Sequence, residues 1–169
     1  SDLGYQPKLS LRLEKGELVV VSNDGTYILK PSPEEYPHLA ENEHATMCVM
    51  QRLKFDVPPF GLMPFRHDEN RPDELAFVIK RYDRTASDNA RLHQEQLDGA
   101  MGLGDKYGRI DNHKAISYEK AAKFLKTRVN SSLKSKRDLF LRIVYAYVLG
   151  NNDFHLRNIG IILPPQGSP

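Results

Sequence analysis

Leu139-Phe140-Leu141-Arg142-Ile143-Val144-Tyr145-Ala146-Tyr147-Val148-Leu149-Gly150 runs into Asn151-Asn152-Asp153-Phe154-His155-Leu156-Arg157-Asn158 and then Ile159-Gly160-Ile161-Ile162-Leu163. The first part is apolar nearly all round, which predicts a helix over about Arg137–Leu149 at the centre of a helical core, with Tyr145 and Tyr147 as core residues. Gly150 is a C′ stop, because glycine takes the left-handed conformation without steric cost. Ile159–Leu163 reads as a short apolar strand. The eight residues between carry one carboxylate, one imidazole and three carboxamides. A polar loop on a rigid core is where catalytic groups are commonly placed. A polar capping turn is the plainer reading of the loop taken alone.

Upstream the periodicity changes. Leu9, Leu11 and Leu13 alternate with Ser10, Arg12 and Glu14, the pattern of a half-buried strand. Lys15-Gly16 punctuates, and Glu17–Ser22 reads as the hairpin partner. Asn23-Asp24-Gly25 is a turn signal, since these residues tolerate positive φ. Thr26–Lys30 is a third strand, ended by Pro31 and Pro33. A helix follows over about Tyr36 to Leu53, with the apolar stripe Leu39, Met47, Met50 and Leu53, until Asp56-Val57-Pro58-Pro59 breaks it. Gly61–Phe65 and Leu75–Tyr82 read as two more strands. After Tyr82 helical patterns take over, at about Gln94–Met101, Tyr118–Lys126 and Arg137–Leu149. Strands followed by helices predict an α+β chain with a β-rich piece over 1–82 and a helical piece over 83–169. A cleft between two lobes is a favoured ligand site.

Composition narrows the class. The 169 residues are 40% hydrophobic and 27% charged, which excludes a mainly disordered chain, a collagen-like repeat and a disulfide scaffold. No uncharged apolar run approaches the roughly 18 residues of a membrane helix, and no basic-then-apolar signal opens the chain. Cys48 is the only cysteine and is expected as a buried structural thiol; a reducing cytoplasm fits best. The balance of 24 basic and 22 acidic residues is no case for a nucleic-acid binder. Lys120–Arg137 is locally basic, either a solvated face or an electrostatic docking patch. The six histidines show no zinc-ligand spacing.

Three features carry chemistry. Glu43 shares the stripe of Leu39, Met47 and Met50, and a carboxylate on a buried face needs a cation or donors. Lys30, at the end of the third strand and on the face of Ile28, is a candidate partner; a glutamate at the stripe edge pointing to water is the alternative. A strand lysine paired to a helix glutamate is how protein kinases hold nucleotide phosphates. Asp153 and Asn158 stand five residues apart, the spacing of the aspartate and asparagine of the protein-kinase catalytic loop. Phosphoryl transfer needs an aspartate to orient or accept the proton of the attacking hydroxyl, and oxygen ligands for magnesium. Third, Gly4 in Ser1–Lys8 would let backbone N–H groups approach phosphates.

Together these motifs resemble the HipA family of serine/threonine kinases, toxins of bacterial toxin–antitoxin systems, including shorter HipT-like members. Ser1-x-x-Gly4-x-Gln6-x-Lys8 is similar to the family's nucleotide loop, Ile28-Leu29-Lys30-Pro31 to its lysine strand, and Asn42-Glu43 to its helix glutamate motif. Phe77–Arg84 resembles the hinge, with its aromatic-Asp-Arg signature. Arg91–Glu95 and Lys106-Tyr107 resemble two further stretches, and Gly150-x-x-Asp153-x-His155-x-x-Asn158 resembles the catalytic loop.

The resemblance implies a protein-kinase-like two-lobed fold: a small β-rich N-lobe plus the first, truncated part of a helical C-lobe. It implies transfer of the ATP γ-phosphate to a protein hydroxyl, with aminoacyl-tRNA synthetases as the family's substrates. Asp153 would orient or deprotonate that hydroxyl, and Asn158 would bind Mg2+. Lys30 would contact the phosphates and Glu43 would position it. Leu3, Gly4, Tyr5, Gln6 and Lys8 would cover the phosphates, His155 would contact phosphate, and Lys80, Arg81 and Tyr82 would meet the adenine. Ser1 corresponds to the regulatory autophosphorylation serine, whose phosphorylation in the family ejects the loop and switches the kinase off. Implied partners are an antitoxin of the HipB type, with DNA reached only through it, and an N-terminal subdomain as a separate polypeptide; no membrane is implied. Only eleven residues follow Asn158, none of them Asp or Glu, so the second magnesium aspartate of kinases is missing and the chain reads as a kinase fragment. A non-catalytic module that binds nucleotide or a partner is the competing expectation.

Overall fold

The structure, a computed structural model, describes residues 7–66, 73–85, 89–109, 116–129, 133–151 and 153–163. The chain divides into two compact units, Ser1–Arg91 and Leu92–Pro169.

In the first unit, the alternating leucines and the valine-rich partner form a hairpin of β1 (Leu9–Glu14) and β2 (Glu17–Val20). Lys15 and Gly16 both take positive φ, the backbone that suits a two-residue hairpin. β3 (Tyr27–Lys30), β4 (Phe60–Phe65) and β5 (Glu74–Lys80) complete a five-stranded sheet in the order β2-β1-β3-β5-β4, antiparallel throughout. The Asn23–Gly25 turn returns the chain to β1, and Gly25 is required there. A Cβ at this position would strike Ser10 Oγ and lie 3.0 Å from the Leu11 carbonyl oxygen.

One sheet face buries Leu11, Leu29, Ala76 and Val78, flanked by Leu9, Leu18, Tyr27, Met63 and Phe65. Phe77 points to the opposite face by strand alternation, and α1 (Leu39–Arg52) packs on β4 and β5. The helix starts at Leu39 rather than near Tyr36. Its first orphan donors are met from a distance: buried Ser32 Oγ accepts from the Ala40 N–H at 3.0 Å, while His38 before the helix is left-handed and offers no side-chain cap. Lys54 ends the helix with positive φ, and Phe55 N–H returns to the Met50 carbonyl. Cys48 is half-buried rather than fully buried, with Sγ 3.8 Å from His44 Nδ1.

In the second unit come β6 (His93–Gln96), α2 (Leu97–Ala100), α3 (Tyr118–Arg128), α4 (Leu133–Val148), a 3-10 turn (Leu156–Asn158) and β7 (Gly160–Leu163). Leu97, Ala121, Leu125 and Leu156 are its buried core, with Ile116, Phe124, Leu139, Ile159 and Ile161 against them. Two expectations are corrected. Gln94–Met101 is not one helix: residues 93–96 pair antiparallel with β7, and the helix is one turn. The strand partner lies more than sixty residues away and leaves no local pattern in the sequence. Nor is α4 a central core helix. It has no buried residue, it meets α3 on one side, and among the described residues nothing covers Tyr147, which is 89% exposed. Apolar residues all round a helix report a surface that can be covered on every side, not what covers it. The stop at Gly150 is as expected, with φ of 66°. No helix among the described residues is long and apolar enough to cross a membrane.

Candidate functional site

In the first unit the structure brings Lys30 and Glu43 together. Lys30 leaves β3 opposite Phe77 of β5, on the face covered by α1, and its Nζ donates to Glu43 Oε1 at 2.5 Å. The side chains are 20% and 28% exposed, so the pair is partly shielded from water. Nζ also sits 5.6 Å from the Phe77 ring centroid, and the ring face adds a favourable field for the ammonium.

Lys80, Arg81 and Tyr82 stand at the end of β5. Lys80 N–H donates to the Pro59 carbonyl and Arg81 N–H to that of Thr26. The Arg81 guanidinium grips Asp83 with two bonds of 2.8 and 2.6 Å, and Arg84 adds a third at 3.0 Å. The Arg81 bonds, ahead of the charges of both arginines, hold the Asp83 carboxyl below the usual carboxylate range despite burial, and the same bonds raise the guanidinium of Arg81. Lys8 is exposed ahead of β1, while Ser1, Leu3, Gly4, Tyr5 and Gln6 lie outside the described residues.

In the second unit Asp153, His155 and Asn158 converge. Asn158 Nδ2 donates to the Asp153 backbone carbonyl at 2.6 Å and to its Oδ2 at 2.9 Å. His155 Nε2 lies 3.2 Å from the other carboxylate oxygen, Oδ1. Asp153 remains 78% exposed on its side chain, so its carboxylate is aimed yet accessible. With Nδ2 turned to Asp153, the Asn158 amide oxygen is left as a hard ligand, which fits Mg2+; the carboxylate of Asp153 supplies the same kind of donor. Among the described residues no group of three His, Cys, Asp or Glu forms a dedicated metal cage.

The loop is braced from beneath by residues the sequence did not single out for it. Arg157 Nε donates to Asp98 Oδ2 at 2.7 Å, and that bond holds the nearly buried Asp98 carboxyl below its ordinary range. Tyr118 Oη donates to the Phe154 carbonyl at 2.6 Å, and Leu156 N–H to the carbonyl of Lys106 at 3.1 Å. Asp98 and Arg157 are 59 positions apart, so no local spacing marks them as partners.

The whole chain, residues 1–169, matches the model of the HipA-like C-terminal domain. It belongs to that family. A Haemophilus influenzae protein named "Putative kinase" is 52% identical over 168 residues, covering 98% of this chain and 48% of the relative. "Putative kinase Y4dM" of Sinorhizobium fredii is 27% identical over 154 residues, 86% of this chain and 35% of the relative. The "Serine/threonine-protein kinase toxin HipA" of Shewanella oneidensis is 24% identical over 180 residues, 97% of this chain and 40% of the relative. The chain thus spans less than half the length of each of these relatives.

Proposed function

We propose that this HipA-like domain carries the nucleotide and catalytic groups of a serine/threonine protein kinase of the toxin type, in a protein-kinase-like two-lobed fold. The observation that carries the reading is the Lys30–Glu43 ion pair, made between a strand and a helix thirteen positions apart in a chain that also presents Asp153 and Asn158 on one loop. A shielded ammonium held by a carboxylate suits ATP phosphates, and an exposed carboxylate of fixed direction suits the hydroxyl proton of an acceptor. In this reading Asp153 orients or takes the proton of a protein serine or threonine hydroxyl, whose oxygen then bonds to the γ-phosphorus as ADP leaves. Asn158, with Asp153, would hold Mg2+, which neutralises phosphate charge. Leu3–Lys8 would cover the phosphates and Lys80–Tyr82 would meet the adenine. The toxin name of one relative supports an antitoxin partner; by the resemblance alone, the acceptor would be an aminoacyl-tRNA synthetase. Ser1 would be the site of autophosphorylation, where a dianion repels bound phosphates.

The test is transfer of labelled γ-phosphate by the complete gene product, with a panel of synthetases as acceptors and Ser1 followed by mass spectrometry. Transfer that falls with Asp153→Asn supports the reading. Incorporation equal in the variant rejects Asp153 as the catalytic carboxylate. Nucleotide binding with no transfer to any acceptor favours a non-catalytic module.

A further inference from the structure

The Asp153 carboxylate has two oxygens, and each faces a different holder. Oδ2 accepts from Asn158, which is exposed, while Oδ1 faces His155 Nε2, whose side chain is nine-tenths buried. The imidazole cannot swing freely. Its ring and that of Tyr107 meet in a T-shaped contact, with centroids 5.9 Å apart and planes at 83°, and the next residue, Leu156, bonds through its N–H to the Lys106 carbonyl. Tyr107 is itself fixed, its N–H bonded to Asp105 Oδ1 at 2.7 Å and its ring flanked by Lys106 Nζ at 5.0 Å and the Arg109 guanidinium at 4.9 Å. The remaining ring nitrogen, Nδ1, is buried with no hydrogen-bond partner among the described residues. One nitrogen is therefore enclosed and the other is turned to Asp153. Neither is arranged as a donor to a phosphate.

We infer that His155 is a positioning residue: its buried ring, wedged by Tyr107, presents Nε2–H to Asp153 and fixes the direction of the carboxylate. This replaces a phosphate-contacting role for His155 and rests on the kinase reading of Asp153. An ionised carboxylate only accepts, so the contact selects the Nε2–H tautomer. A small misplacement of a reacting group is costly, about 100-fold for roughly 1 Å.

The test uses the complete gene product in three forms: wild type, His155→Leu and His155→Gln. The glutamine amide can reach a position similar to Nε2 and donate from it. For His155→Leu, kcat for phosphoryl transfer is expected to fall by about 100-fold with KM for ATP unchanged, and His155→Gln is expected to recover most of the loss. A raised KM for ATP with kcat retained, or a glutamine variant no better than leucine at equal thermal stability, would overturn the inference. The second readout needs no turnover. The 15N and 1H resonances of the His155 ring are expected to move in Asp153→Ala, as Nε2–H loses its acceptor. A ring spectrum identical in the two proteins overturns the contact itself. If wild type transfers no phosphate at all, the kinase reading fails, and with it the positioning role, whereas activity lost in Asp153→Asn but kept in His155→Leu removes the inference alone.

Discussion

The Lys30–Glu43 pair and the Asp153–His155–Asn158 cluster reach a similar end by opposite routes. The first joins a strand to a helix, and its geometry is inherited from the sheet register Lys30 to Phe77 and from the packing of α1 on β4 and β5. The second is assembled within six consecutive positions, from His155 and from the 3-10 turn after it, whose Asn158 closes back on Asp153. Regular elements bring distant groups together and shield them. A tight turn brings near neighbours together and leaves the Asp153 carboxylate largely in water. The turn then needs anchors from elsewhere, and Asp98, Tyr107 and Tyr118 supply them. The ion pair should accordingly be sensitive to the core of its unit, and the loop to a few polar anchors.

The sharpest way to break this contrast compares Phe77→Ala with Asp153→Asn. Phe77 is fully buried beneath Lys30, and its removal is expected to cost about 3–5 kcal/mol in denaturant unfolding and to release the lysine. On the proposed kinase reading, Asp153→Asn in the complete gene product is expected to lower transfer by about 100- to 10,000-fold. It should change stability by no more than about 0.5 kcal/mol, since the side chain is mostly in water. An Asp153→Asn protein that unfolds as readily as Phe77→Ala would show that the loop is part of the core, contrary to the comparison.

A smaller effect is expected from the anchors. Asp98→Ala removes the acceptor of Arg157 and leaves the guanidinium with solvent on one side, at a cost of about 1–3 kcal/mol. Its diagnostic consequence is local: amide hydrogen exchange should quicken at Leu156 to Ile159 and stay unchanged across β1 to β5. Uniform quickening through both units would mean that Asp98 supports the whole chain rather than the loop.

How far the sequence disclosed this arrangement follows from the same distinction. Period-2 leucines announced β1, glycine marked the end of α4, and the helical period put Glu43 on the inner stripe of α1 within reach of Lys30. The loop groups were visible because they are close in sequence. The strand at Gln94 was hidden, since its residues are polar and its partner is β7, and so was the Asp98–Arg157 anchor. Each depends on contacts between positions far apart, which local pattern does not encode. The apolar α4 misled for a related reason: periodicity records what a helix could bury, while burial depends on neighbours.

The smallest effect expected is on acid stability, and it distinguishes the two units by the separation of the partners. Asp83 and Asp98 both have carboxyls held below the ordinary value, each chiefly by an arginine hydrogen bond. A carboxyl whose folded value is depressed stabilises the fold fully above its unfolded value of about 3.9, and that contribution is lost as pH falls through the lower folded value. The two should not contribute equally. Asp83 lies between Arg81 and Arg84, so part of its pairing persists in an unfolded chain and cancels from the difference between states. Asp98 meets Arg157 from 59 positions away and loses it entirely on unfolding. Thermal unfolding followed from about pH 6 down to about pH 3 should therefore show a shallower acid decline in Asp98→Asn than in wild type, and a smaller change of slope in Asp83→Asn. Equal slopes in the two variants would mean that sequence separation of the partners does not govern the linkage, because the unfolded chain then keeps neither pair or both.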